Sequence, residues 1–219
     1  EREKAVDDED DRFGAEAFSL ANFSWAVCGL SGTLAAQVAL TDHDEVDLVV
    51  FTHLHPDHVG WNLTNGKPNF PNARYVANEA DWTPFETPLD SEIFGYDWWA
   101  ETVAPLRRLG VLDLINDETE LTGELTVTPT PGHTPGSMSM IINSVGERAF
   151  IMGDVFHGPA QVTETDWVFH YDMDPERAGE TRKDMLEWAE RENAAIAICH
   201  HSGFGRVIRE SGKRYWQAL

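Results

Sequence analysis

The sequence predicts an α/β fold, and three observations carry that prediction. Short β-branched apolar runs recur along the chain, the clearest being VDLVVFT at residues 46–52 and AAIAIC at 194–199. Continuous runs of this kind suit strands covered on both faces. Between the runs lie segments of helical periodicity, of which 175–192 is the best formed. Finally, 42% hydrophobic residues, with 8 Trp and 11 Phe in 219 positions, supply the material for a large globular core.

Taken in order, residues 1–12 carry seven acidic side chains and almost no apolar ones, so they read as a solvated tail ahead of a folded body over 13–219. Residues 18–40 are apolar around Gly29, Ser31 and Gly32, with a short helix expected after Ser31. The strand at 46–52 delivers His53 at its C-terminal end. Another strand is expected at 73–77, then a helix from about Asn78 and a Trp-rich helix over 93–109, which Pro105 kinks or restarts. Strands follow at 111–115, 125–129, 138–143 and 149–152, separated by Gly and Asn-Ser turn signals. In 175–192, Asp174 is a natural N-cap and Pro175 suits the first turn. The apolar residues Ala178, Met185, Trp188 and Ala189 recur at helical spacing. Pattern alone does not separate one sheet from two sheets packed between helices.

Charge narrows the partners. Sixteen basic against 38 acidic residues leave a net charge of −22, a field that repels nucleic-acid phosphates and anionic membranes. The expected substrate is therefore a small neutral molecule. The acidic excess also resembles that of salt-adapted proteins, with an ordinary soluble acidic surface as the simpler reading. Cys28 and Cys199 stand in no paired or metal-type spacing, which argues against a disulfide framework or a thiolate site. No apolar run approaches the ~18 residues of a membrane span, and the acidic start is opposite to a signal peptide's basic opening. A cytoplasmic location is expected, with secretion left open if a leader was removed before Glu1.

The chemistry concentrates in His53-Leu54-His55-Pro56-Asp57-His58, which sets four potential metal ligands within six residues directly after a strand. Random placement of the chain's histidines and aspartates would produce this pattern with a probability of roughly one in a thousand. Imidazole and carboxylate are ligands for zinc, iron or manganese, and the His-x-His alternation points two imidazoles to the same side of an extended segment. Asp57 and His58, past the turn, could face a second metal.

HLHPDH resembles the signature of the metallo-β-lactamase superfamily. That family implies a further His in a Gly-His-Thr/Ser turn, a bridging Asp after a strand and a last His near the C-terminus. Thr130-Pro131-Gly132-His133-Thr134-Pro135-Gly136-Ser137 matches the first of these and Ile151-Met152-Gly153-Asp154 the second. For the third, His200 and His201 are adjacent after the strand at 194–199. His200 is preferred as the first residue off the strand, with His201 bonding elsewhere.

The resemblance implies an αββα sandwich. It also implies one metal on His53, His55 and His133 and a second on Asp57, His58 and His200, with Asp154 between them. Two cations of this kind, zinc first with iron or manganese as alternatives, would share a hydroxide that attacks an ester, lactone or phosphotriester. Residues 154–161, 172–175, 181–182 and 203–216 resemble the group of methyl parathion hydrolase and, more distantly, acyl-homoserine lactonases. There His157 occupies a position where lactonases tend to carry Tyr, which implies a catalytic or substrate-binding role beside Asp57, with a ligand-orienting or packing role as the equal alternative. Phe156 and Trp61 are candidate pocket walls. Trp82, Trp98 and Trp99 are candidates too, although core packing is each one's simpler role.

Only 52 residues precede His53, fewer than this group usually places there, and 13–40 does not read as the remaining strands. The resemblance therefore implies an incomplete N-terminal sheet: in a fragment, in a short member, or in a chain whose sheet a partner completes, as in a homodimer. Two alternatives stand beside the hydrolase. One is a mononuclear-iron enzyme resembling persulfide dioxygenases; the other is a non-catalytic metal-binding or assembly protein. A true β-lactamase is disfavoured by the absent Cys ligand.

Overall fold

The computed structural model describes residues 24–28, 43–86 and 98–219. The expected acidic tail, the helix after Ser31 and the start of the Trp-rich helix lie outside the described residues.

The first half of the chain runs β1 (Ser24–Cys28), β2 (Val46–Phe51), the single-turn helix α1 (Pro56–Val59), a small hairpin of β3 (Leu63–Thr64) and β4 (Lys67–Pro68), β5 (Arg74–Asn78) and α2 (Glu79–Glu86). After these come a π-helical stretch, Trp99–Val103, then α3 (Ala104–Arg108) and β6 (Leu112–Ile115). Pro105 falls in the first turn of α3, where its missing N–H leaves no helical bond unmade, so it starts a segment. Strands β1, β2, β5 and β6 form one sheet in the order β1-β2-β5-β6, every pair parallel. Strand β1 corrects the expectation that nothing before residue 40 reads as a strand. SWAVC is too short to show a period, and it is its pairing with β2 that makes it a strand.

The second half builds a seven-stranded sheet from β7 (Thr119–Glu120), β8 (Leu125–Pro129), β9 (Met138–Ser144), β10 (Glu147–Ile151), β11 (Ala195–Ala197), β12 (Phe204–Glu210) and β13 (Lys213–Ala218). A 3-10 turn at Gly153–Val155, α4 (Ala160–Thr163) and α5 (Pro175–Glu192) lie between β10 and β11, whose pairing is parallel while every other pair in this sheet is antiparallel. Helix α5 has the bounds that the sequence predicts, and Arg177 N donates to the Asp174 side chain at its N-cap. The β12–β13 hairpin was not evident from the sequence. Its turn residues Ser211 and Gly212 both have positive φ, the turn that suits tightly joined strands. Strand β13, at a sheet edge and largely exposed, lacks the apolar alternation that would announce it.

Side-chain alternation stacks these layers. Val49, Phe51, Tyr75 and Ala77 face a cluster with Trp82, Phe85, Trp98, Trp99 and Leu106, so the helices cover the outside of the first sheet. Val50 and Val76 turn the other way, onto Leu125, Val127, Met138, Met140 and Ile142 of the second sheet. The far face of that sheet, with Ile141, Phe150 and Ile196, packs on Met185, Leu186 and Ala189 of α5. The order is helix, sheet, sheet, helix: the αββα sandwich. Of the two sheets the first is smaller, four strands against seven among the described residues.

Candidate metal centre

Four segments converge at one end of the sandwich. His53 and His55 leave the C-terminal end of β2, and α1 carries Asp57 and His58. His133 lies in the β8–β9 turn, Asp154 just past β10, and His200 three residues past β11. The two sheets are tied together here, since Met138 N donates to Thr52 O at 2.7 Å, while Met152 N donates to Ala197 O at 3.0 Å and extends the β10–β11 pairing toward the site. Gly153 permits the sharp exit from β10. Its φ is +56°, and a Cβ there would stand 2.8 Å from that of Thr52.

The donor atoms gather as overlapping sets: His53, His55 and His133; His53, His58 and Asp154; Asp57, His58 and His200; and His133, Asp154 and His157. Within each set they lie within 4.8 Å of one another. Asp154 is the hub. Its Oδ2 is 3.0 Å from His200 Nε2, 3.1 Å from His157, 3.4 Å from His133, 3.5 Å from His58 and 3.9 Å from His53. His55 Nδ1 approaches His133 Nε2 to 3.0 Å.

These groups fit a cation. His53 Nε2 and Asp154 Oδ1 are buried without a hydrogen-bond partner, a costly arrangement in protein alone and the expected one for atoms whose partner is a metal. The protonation states lean the same way on the first cluster's side. Burial, then repulsion from His58, pushes the His53 pKa well below the usual histidine value, and burial with the neighbouring His133 pulls His55 down to about 3. Both imidazoles are thus neutral. Burial works against the Asp154 charge, but bonds from His157, His200 and His58 outweigh it and hold the carboxyl well below the carboxylate range.

On the other side burial opposes a proton on His58, yet bonds to Asp154 and Asp57 raise its pKa well above the usual value; His200 is raised by Asp154. Without a cation, the proton on His58 offsets the carboxylates there, with those that His200 takes up at lower pH. Cation uptake must displace them.

Exposure is uneven across the cluster. His53, His58, His133 and Asp154 are almost wholly buried, while the side chains of Asp57 and His200 are 57% and 31% exposed. His157 stacks flat on Phe169 at 3.4 Å between centroids, and its backbone N–H donates to Gln161 Oε1. His201 points elsewhere, its ring against Trp216. The reason for the difference is not the strand end, because β11 stops at Ala197, two residues earlier than the sequence suggests. The turn closed by His201 N on Ile198 O sets both rings.

The other sequence candidates separate. Phe156 is fully buried in the core beneath α5 and has no surface to offer a ligand, because the chain is extended after the 3-10 turn and turns this ring inward. Trp61 stands half-exposed in the turn after α1, its carbonyl accepting from Asn69. Trp82, Trp98 and Trp99 form an edge-to-face chain in the core, and Phe85 joins it to the His55 ring.

Sequence reasoning passed over the groups that aim the imidazoles. Asp172 Oδ1 accepts from His133 Nδ1 at 3.0 Å, leaving Nε2 directed at the cluster. Arg182, buried to 1% exposure, donates to the carbonyls of Val155, Thr165 and Trp167 and lies 3.7 Å from Asp172. The segments holding Asp172 and Arg182 are part of the family resemblance, but nothing in their sequence marks these roles.

Comparison with known proteins agrees with this architecture. Among solved structures, a hydrolase of the beta lactamase superfamily called AbOPH superposes with a TM-score of 0.80 at 22% identity, over 91% of this chain and 77% of that one. The dizinc quorum-quenching lactonase AidC, in complex with a product, superposes with a TM-score of 0.69 at 21% identity, over 85% and 68%. The uncharacterized protein YobT of Bacillus subtilis is 28% identical over 183 residues, 78% of this chain and 72% of its own length. The profile of the metallo-beta-lactamase superfamily matches residues 28–200. Because that match runs through every segment that contributes to the donor cluster and closes on His200 itself, the chain belongs to the metallo-β-lactamase superfamily.

Proposed function

We propose that the protein is a hydrolase that holds two divalent cations, zinc first, and cleaves an ester, lactone or phosphotriester bond in a small neutral substrate. The observation that carries this reading is Asp154: one buried carboxylate within 3.9 Å of imidazoles from both donor sets. His53, His55 and His133 would hold one cation, and Asp57, His58 and His200 the other, with Asp154 shared. Bound cations supply Lewis acidity, which allows hydrolysis near neutral pH without a serine or cysteine nucleophile.

The chain's own groups do the rest. Asp172 fixes the orientation of His133, and Phe169 fixes that of His157. Burial lowers the His157 pKa against the pull of Asp154, so its ring is neutral at pH 7 and can accept or return a proton at a substrate oxygen. The segment that carries Phe169 also exposes Trp167, Tyr171 and Met173, apolar surface that supports a substrate with an acyl or aryl portion. The net charge of −22 supports a neutral one. The complete second set, Asp57, His58 and His200, weighs against a single-iron enzyme.

The test is a panel of lactones, aryl esters and phosphotriesters, offered to protein reconstituted with zinc or with manganese. At least one neutral class should turn over, cease to do so after chelation and recover when the metal is returned. Metal-loaded protein inert towards all three would exclude the hydrolase reading.

A further inference from the structure

Asp81 is buried to 0% exposure, and no motif marks it. It is the third residue of α2, a helix that starts directly from the end of β5, the neighbour of β2 in the first sheet. Asn78 caps that start by accepting from Ala80 N at 2.8 Å. This placement brings the Asp81 carboxylate between the two loops that supply the three-histidine set. Oδ2 accepts from Leu54 N at 3.1 Å, the amide between His53 and His55, and from Thr134 Oγ1 at 2.9 Å, next to His133. Oδ1 accepts from Gly136 N at 2.5 Å in the same turn. Contact is so close that a Cβ on Gly136 would stand 2.6 Å from Asp81 N.

A buried carboxylate is expensive to keep charged. Burial pushes Asp81 up to about 6, against the pull of Thr134, Gly136 and Leu54. A loop tie alone could be made by a neutral side chain at lower cost. All three donors of this one lie in ligand-bearing loops 78 residues or more apart in the chain, counted from His55 to His133.

We infer that Asp81 is a positioning residue that sets the spacing between the His53–His55 segment and His133, and thereby the affinity of the first cation site. This rests on the two-cation reading above. In Asp81→Asn, an amide that keeps its oxygen on Gly136 N–H must turn its NH2 toward Leu54 N–H, and two donors face each other. Leu54 then loses its acceptor and carries the flanking imidazoles away from His133, while the bonds described for Asp81 go to Leu54, Thr134 and Gly136 and to none of Asp57, His58 or His200, so that the second set feels the change only through the bond from His58 N to His55 O.

The experiment is a zinc titration against a competing chelator, resolved into two dissociation constants. Visible spectra of the cobalt(II) form are recorded alongside, for wild type, Asp81→Asn, His55→Ala and His200→Ala. The His55→Ala and His200→Ala variants identify which step belongs to which site. Asp81→Asn should weaken the step that His55→Ala abolishes by about 10–100-fold and the other step by at least about 10-fold less. Weakening of both steps alike, or of neither with only a lower melting temperature, overturns the inference and leaves the hydrolase reading standing. Wild type that takes up no zinc overturns both. Should Asp81→Asn fail to fold, Thr134→Val removes one donor and keeps the carboxylate. It should show the same selective loss on a smaller scale, and loss without selectivity would again contradict the inference.

Discussion

Asp154→Asn should lower turnover by at least about 100-fold, the lower end of what losing one electrostatic stabiliser costs, whichever substrate class the panel identifies. The carboxylate is 4% exposed and has five imidazoles around a single oxygen. An amide of the same shape removes the negative charge that both cations would share and offers an NH2 donor in its place. Bound metal should fall together with activity, since neither set keeps its common ligand. Asp166→Asn is the matching control, because that carboxylate is 83% exposed and pairs with Lys183 at the surface. It should keep wild-type turnover and metal. An Asp154→Asn protein with undiminished turnover would exclude a bridging carboxylate.

The second large effect separates His200 from His201. His200 Nε2 is 3.0 Å from Asp154 Oδ2 and 3.6 Å from Asp57 Oδ2, whereas the His201 ring lies against Trp216, 5.8 Å between centroids. His200→Ala should therefore drop the metal count by about one and cut turnover by about 100-fold or more. His201→Ala should leave the count intact and change turnover little, with any loss confined to stability through the Trp216 contact. Equal metal loss in the two variants would show that the turn at 198–201 presents both rings.

What could be read from the sequence was local. Four potential ligands fall within 53–58, so a short motif exposes them, and the β-branched run before them marks the strand that places them. Helix 175–192 announces itself through Asp174, Pro175 and its apolar spacing. The rest depends on contacts between distant segments. Asp81 reaches Gly136, 55 residues on, and Asp172 reaches His133 across 39. Each is an ordinary acidic residue, and only burial beside a ligand loop gives it a role. Strand β1 exists through its pairing with β2, and β13 through closing a sheet edge. Phe156 shows the reverse failure: it lies two residues after Asp154 in sequence, yet the 3-10 turn at Gly153–Val155 sends its ring into the core.

The central claim is that the cluster around Asp154 holds two divalent cations. The most direct measurement is elemental analysis of the purified protein, stripped by chelator and then reloaded with zinc, with proton release followed in weakly buffered solution during reloading. About two ions should bind per chain, and protons should be released as His58 gives up the charge that compensates Asp154 in the metal-free state. Protein that takes up no metal, or that saturates at one ion per chain, would contradict the account.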